Sequence, residues 1–130
     1  MIIRKHYIDQ IRPFFDSDLI KVITGIRRCG KSVILSQIAD EFRSAGKQVL
    51  LVNCEALEYS ELIPDAAALS SYVKDYVKER IPPQEKLYVF LDEVQLVNDW
   101  NLACRSLRLE NISLFITGSN SRLLSREFSN

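Results

Sequence analysis

The stretch that decides the fold is Gly25-Ile26-Arg27-Arg28-Cys29-Gly30-Lys31-Ser32, which follows the apolar run from Leu19 to Thr24. Its spacing, Gly-x-x-x-x-Gly-Lys-Ser, has a physical cause. The glycines let the backbone curl until successive N–H groups point inward, where they attract phosphate oxygens. A helix that begins at the end of the loop aims its positive end at the same point. The stretch therefore predicts a phosphate-binding loop between a strand and a helix.

The positions of this loop have separate expected roles. Lys31 is expected to reach the β- and γ-phosphates of a nucleotide, and the Ser32 hydroxyl to coordinate Mg²⁺. Arg27 and Arg28 could contact phosphates or a partner subunit, although loop positions of this kind are more often solvated. The alternative, a glycine turn followed by a chance Lys-Ser, has a frequency on the order of one in a few hundred for such a chain. The predicted nucleotide-binding set is Gly25, Ile26, Arg27, Arg28, Cys29, Gly30, Lys31, Ser32 and Val33.

Four apolar runs predict buried strands of a parallel sheet, because they are continuous rather than alternating. They are Leu19 to Thr24, Val49 to Asn53, Leu87 to Leu91 and Ile112 to Thr117. Helical patterns separate them, so the predicted fold class is α/β, a parallel sheet with helices on both faces.

Three predicted helices fill the intervals between the runs. Their apolar faces are Leu35, Ile38, Ala39 and Phe42; Leu69, Tyr72, Val73, Tyr76 and Val77; and Trp100, Ala103, Cys104 and Leu107. Gly46 is expected to end the first, Pro82-Pro83 to stop the second and Asp99 to cap the third. Tyr7 to Phe15 predicts a short N-terminal helix packed on the sheet.

Two carboxylates, Asp92 and Glu93, follow the third run directly. They would lie at the carboxyl edge of the sheet, where ligands of open α/β sheets bind. This resembles a Walker B motif. Asp92 is expected to hold Mg²⁺ through its water shell, and Glu93 to orient or deprotonate the attacking water. Alone, such a pair would equally suit a solvated turn; together with the phosphate-binding loop it indicates a site.

Composition restricts the function further. Lysine plus arginine equals aspartate plus glutamate at 17 each, so the chain has no overall basic excess for holding nucleic acid. Three cysteines and one histidine suit neither a disulfide framework nor a zinc site. No apolar run approaches the ~20 residues of a membrane span, and no signal-peptide pattern opens the chain, so the expected location is the cytoplasm without membrane contact.

These motifs together carry a family resemblance. The loop from Gly25 to Ser32, the segment Leu91-Asp92-Glu93-Val94-Gln95 with Asp99-Trp100, and Ile116-Thr117-Gly118-Ser119-Asn120-Ser121 with Leu123-Leu124-Ser125 are similar to the prokaryotic AAA+-type P-loop ATPases. In that family the ATPase core is joined to a C-terminal domain of uncharacterised, nuclease-like function. The resemblance covers nearly the whole chain.

The resemblance implies a three-layer AAA+ core with strand order five-one-four-three-two, ATP as nucleotide and Mg²⁺ as cofactor. It places Asn120 at the sensor position, with Ser119 second and a plain turn as the alternative. The catalytic set is then Glu93, Lys31 and Asn120, and the metal set Ser32 and Asp92. Since only four core strands precede Asn130, residues 1–130 are expected to be the N-terminal ATPase core of a longer protein.

Four functions are compared. The first is an ATPase that powers or gates an attached effector domain and self-associates, with a DNA or protein partner left open. The second is a module that binds ATP or ADP for partner recognition without significant turnover, which the sequence also allows. A GTP-dependent switch would need an Asn-Lys-x-Asp motif for guanine recognition, and this sequence contains none. Kinases usually lack a glutamate after the Walker B aspartate, so Glu93 argues against that class. The arginine finger (Arg105, Arg108 or Arg122) and the adenine contact (Tyr7 or Arg4) stay open.

Overall fold

The computed structural model describes residues 20–23, 29–108 and 110–118. For residues 29–32 it describes the backbone alone, and side chains of that range are described from Val33 onward. The predicted N-terminal helix, the loop positions Gly25 to Arg28 and the predicted sensor Asn120 lie outside these residues. Along the described chain the order of elements is strand, helix, strand, two helices, strand, short 3₁₀ helix, helix and strand.

The strands form one parallel sheet. They are β1 (Lys21–Ile23), β2 (Gln48–Asn53), β3 (Leu87–Asp92) and β4 (Ile112–Thr117), in the spatial order β1-β4-β3-β2. Every residue of β3 and β4 is buried, whereas β2, at an edge of the described sheet, is partly exposed. Among the described residues this is the predicted order five-one-four-three-two without strand five, and the α/β fold class is confirmed.

The helices lie on both faces of this sheet. They are α1 (Cys29–Ser44), α2 (Leu57–Leu62), α3 (Ala66–Arg80) and α4 (Trp100–Leu107). Alternate residues of each strand point to opposite faces. One face packs against α1 in a core with aromatic residues of β3 and β4, and the other packs against α3 and α4. The result is the expected three-layer arrangement.

The end of α1 follows the prediction made from Gly46. Gly46 has φ +80°, its N–H donates to the Arg43 carbonyl at 3.0 Å, and the Lys47 N–H donates to the Phe42 carbonyl at 2.9 Å. These two bonds satisfy carbonyls that would otherwise lack a partner at the helix end, as in a Schellman motif. They turn the chain sharply toward β2.

Three local features differ from the sequence predictions. Asp99 directly precedes α4, but its side chain makes no capping hydrogen bond, because the Asp99 backbone is left-handed (φ 58°) rather than extended. The prediction of a side-chain cap at α4 is therefore wrong. A different helix, α3, does have a side-chain cap: the Asp65 carboxylate accepts from the Ala68 N–H at 2.9 Å. Helix α2 and the 3₁₀ helix Val94–Leu96 were not predicted.

Among the described residues, none of the helices combines the length and apolar character needed to cross a bilayer.

Candidate functional site

The carboxyl ends of the strands define the candidate site. All pairings are parallel, so the strands end at one edge of the sheet. Ile23 pairs in register with Thr117 at this edge, and Asn53 pairs with Asp92. The chain that leaves β1 after Ile23 must return to the start of α1 at Cys29. In sequence, the predicted phosphate-binding loop therefore follows the end of β1 that pairs with Thr117.

Asp92 ends β3 on the sheet face that packs against α1. It alternates with Tyr88 and Phe90, which belong to the core on that face. Its side chain is buried, and its Oδ1 accepts a hydrogen bond from the Thr117 hydroxyl. A carboxylate is rarely buried without such a partner, because removal from water strongly disfavours its charged form. The fold thus holds a carboxylate on the α1 side of the sheet edge.

Glu93 follows at a sharp turn of the backbone. Its φ and ψ are 57° and 50°, the left-handed region that non-glycine residues seldom occupy. Its N–H donates to the Thr117 hydroxyl at 3.0 Å, and its Oε1 accepts from Gln95 Nε2 at 2.9 Å. The side chain is half-buried. Two adjacent carboxylates are therefore held by different partners at one edge.

Comparison with known proteins identifies the family. A family model described as an AAA domain matches residues 17–130. The chain belongs to this family. An AAA domain is a P-loop, nucleotide-binding type of domain, which agrees with the sheet order and with the carboxylates at its edge.

Two curated relatives resemble this AAA domain. An uncharacterized protein of Haemophilus influenzae is 40% identical over 98% of the chain, and one of Methanocaldococcus jannaschii is 33% identical over 83%. The alignments cover 32% and 23% of those two proteins, so the chain spans about a third or less of the relatives it matches. No solved structure matches the chain.

The described part of the AAA domain brings together Asp92 and Glu93 from the predicted set. Gly30, Lys31 and Ser32 occupy the first turn of α1, where their backbone alone is described, and Val33 is half-buried in the same helix. The helix therefore begins inside the motif, as the prediction requires. Gly25, Ile26, Arg27, Arg28, Ser119, Asn120, Arg122, Tyr7 and Arg4 lie outside the described residues, whereas Arg105 and Arg108 are exposed near α4.

The contacts of Thr117 and Gln95 are not predicted by the sequence. Thr117 ends the fourth apolar run and belongs to the Ile116 to Ser121 motif, but neither feature predicts its side-chain contacts; a hydroxyl at the last position of an apolar run is the one signal that something polar lies beside it. Gln95 follows Glu93 by two residues, and no sequence rule predicts a side-chain contact at that spacing; the left-handed turn at Glu93 produces it.

Two buried cysteines lie close to the site of this AAA domain. Burial raises the pKa of the Cys54 thiol to about 12, and the negative charges of Asp92 and then Glu93 add to the effect. Burial likewise raises the pKa of Cys104 to about 12, with Cys54 contributing. Both thiols stay protonated at neutral pH, so neither is suited to act as a nucleophile.

The donor set can be compared with the needs of a metal ion. Within the described residues, no group of three or more acidic, histidine or cysteine side chains forms a ready-made metal site. Mg²⁺ does not require one, because it is commonly held by one or two carboxylates, waters and substrate phosphates. Asp92, the one buried carboxylate in the described part of the chain, is an oxygen donor at the sheet edge and fits that manner of binding.

Proposed function

We propose that the chain binds Mg-ATP at the carboxyl edge of its sheet and hydrolyses it, and that this turnover powers or gates an attached effector domain. The observation that carries the proposal is the Thr117 hydroxyl bound to both Asp92 and Glu93, beside the strand that leads into the predicted loop. Neighbouring strands are about 4.8 Å apart, so β1 and β3 lie ~10 Å from each other across β4. A nucleotide triphosphate with its metal ion can bridge that separation.

The residues of this chain would have separate roles in nucleotide binding, metal binding and hydrolysis. The backbone of Gly25 to Val33 would surround the phosphates, with the Lys31 ammonium neutralising the β- and γ-phosphates. Ser32 and Asp92 would hold Mg²⁺, which withdraws charge from the phosphate oxygens when bound. Glu93 would orient a water molecule for attack on the γ-phosphorus and accept its proton, while Asn120 would contact that water or the γ-phosphate.

The attached effector is inferred from the lengths of the relatives. Both are more than three times longer than the segment that matches, so the homologous AAA domain in each is accompanied by much additional chain. An ATPase core joined to further domains typically controls them through its nucleotide state. We infer the same arrangement for this protein: residues 1–130 would form its N-terminal ATPase core, and further chain would form the attached effector. We expect the whole protein to act in the cytoplasm.

Nucleotide affinity tests the binding half of the proposal. Lys31→Ala should weaken Mg-ATP binding at least tenfold, roughly 1.4 kcal/mol, because backbone N–H groups alone do not offset the phosphate charge. A titration with a fluorescent ATP analogue measures this. Lys47→Ala is the matched control, because Lys47 is exposed beyond the opposite end of α1 and should leave the affinity unchanged. Equal affinity in folded Lys31→Ala protein would contradict the proposal.

The second candidate is a binding module that uses ATP for partner recognition without significant turnover. The Gln95 contact favours it, because Gln95 Nε2 already donates to Glu93 Oε1, an atom that hydrolysis would need to accept the proton of the attacking water. Phosphate release by the full-length protein, with and without DNA, separates the two candidates. Steady release supports the ATPase, and tight binding without release supports the module.

A further inference from the structure

Thr117 occupies an unusual place in the sheet. It is the last residue of β4 and is fully buried, in a strand whose other polar side chain is Ser113. It pairs in register with Ile23, the last residue of β1, and contacts the end of β3 through its side chain. One hydroxyl therefore lies between the strand that leads into the predicted loop and the strand that ends at Asp92 and is followed by Glu93.

Both hydrogen-bonding functions of this hydroxyl are used. Its single proton is donated to Asp92 Oδ1, and its oxygen accepts the Glu93 N–H at 3.0 Å. The first bond joins the hydroxyl to a charged group, which makes it one of the stronger kinds of hydrogen bond. Because one oxygen takes part in both bonds, the orientation of the Asp92 carboxylate is tied to the position of the Glu93 backbone.

The Glu93 backbone needs such a contact. Its left-handed conformation is disfavoured for a residue with a Cβ atom, and it persists only where the surroundings hold it. The bond from the Glu93 N–H to Thr117 fixes the start of this turn, and the Gln95 amide then holds the Glu93 carboxylate. Strained backbone of this type is concentrated at functional sites.

We propose that Thr117 is a positioning residue for the hydrolysis proposed above, and that its hydroxyl sets the metal-side carboxylate of Asp92 and the water-side residue Glu93 together. The inference rests on the proposed function. In this role Thr117 makes no contact with nucleotide, metal or water, because it acts through Asp92 and Glu93. A valine would fill nearly the same space but would leave Asp92 Oδ1 and the Glu93 N–H without this partner.

The experiment compares variants of Thr117 by the Mg²⁺ concentration that gives half-maximal binding of a fluorescent ADP analogue. Thr117→Val should raise this midpoint roughly tenfold, as expected for loss of a hydrogen bond to a charged group. Nucleotide affinity without Mg²⁺ should stay unchanged. Thr117→Ser keeps the hydroxyl and should restore a midpoint close to that of the unaltered chain. Phosphate release should follow the same order.

Ser113→Ala is the matched control. Ser113 is fully buried on the same face of β4, but its hydroxyl accepts from Lys21 Nζ at 2.7 Å, away from both carboxylates. Its loss should lower the unfolding temperature while leaving the Mg²⁺ midpoint unchanged. A merely structural role for Thr117 would give the same pattern in Thr117→Val.

Each outcome has a distinct meaning. A folded Thr117→Val protein with an unaltered midpoint overturns the inference and leaves the proposed function intact. If Thr117→Val does not fold, Thr117→Cys replaces it: the thiol has nearly the size of serine but is a much weaker donor, so its midpoint should exceed that of Thr117→Ser. Equal midpoints overturn the inference. An unaltered chain that binds no nucleotide overturns the proposed function and this inference with it.

Discussion

Asp92 and Glu93 are neighbours in sequence but have different environments. Asp92 ends a buried strand and is 8% exposed, with its carboxylate bound by Thr117. Glu93 begins a left-handed turn, is half-buried and has its carboxylate bound by Gln95. Because carboxylates in different surroundings acquire different roles, the proposed function would have this pair divide metal binding from proton transfer.

Substitution of each carboxylate should separate these roles. In the full-length protein, Glu93→Gln should retain ATP binding and nearly abolish phosphate release, because the amide cannot accept the proton of the water. Asp92→Asn should in addition raise the Mg²⁺ concentration needed for binding. Nucleotide titration and phosphate release measure the two effects.

Glu79→Gln provides the control for these two variants, because it neutralises an exposed carboxylate near the end of α3. It should behave as the unaltered protein does. Hydrolysis at the unaltered rate by Glu93→Gln would show that the catalytic base lies elsewhere.

At the residue scale the sequence predicts best where chemistry and position coincide. Asp92 and Glu93 were expected at the sheet edge because two carboxylates follow a strongly apolar run. Thr117 and Gln95 were not, because their roles depend on the register between β3 and β4 and on a backbone turn. The prediction for Asp99 is wrong because of its backbone conformation: the side-chain type suits a helix cap, but the left-handed backbone prevents the bond.

Among the elements, α1 links the predicted loop to the edge strand β2. Its apolar face packs on the sheet through residues such as Ile34 and Ile38, which are fully buried. Its last turn is closed by Gly46, whose positive φ and two flanking bonds redirect the chain. The helix thus has a defined length, set by its packed face and by this glycine.

Gly46→Ala should lower the free energy of unfolding by about 1 kcal/mol. A Cβ at Gly46 would meet no atom within 4 Å, so the loss should come from the strained backbone alone. Chemical denaturation measures it. Gly46→Asn should lose less, because asparagine tolerates the left-handed region better. Equal losses in the two variants would indicate a cause other than backbone strain.

Long packed elements were predictable, and short exposed ones were not. The four strands and helices α1, α3 and α4 bury faces whose periodicity is visible in the sequence. Helix α2 has six residues, none of them buried, and Leu57 and Leu62 are largely exposed. It therefore leaves no periodic signal. The 3₁₀ helix after Glu93 likewise arises from the turn rather than from an apolar pattern.

At the scale of the whole molecule, the described AAA domain carries Asp92 and Glu93 at one edge of its sheet. Among the described residues, the exposed arginines Arg105 and Arg108 lie at the end of α4 and just after it, shortly before β4 begins at the edge of the sheet opposite the carboxylates. An arginine that stabilises transferred phosphate is often supplied by a neighbouring chain. Self-association would supply one here.

Turnover per chain should therefore rise with protein concentration. An arginine supplied in trans is worth ~10³ to 10⁵ in rate in the GTPase examples, so the isolated chain should hydrolyse ATP well below about 1 s⁻¹. Phosphate release and light scattering, measured on the same samples at increasing concentration, give activity and size together. Turnover of about 1 s⁻¹ or faster from a strictly monomeric chain would disprove this expectation.

The central position of β3 and β4 has a consequence for fluctuations of the native state. Each is paired along both edges and buried on both faces, whereas β1 and β2 are paired along one edge within the described sheet. Backbone amides in such central strands exchange with solvent last, because their opening requires nearly global unfolding. The contact between Thr117 and Asp92 joins the ends of these two strands. Fluctuations confined to the helices or the outer strands should therefore disturb this contact less than global unfolding does.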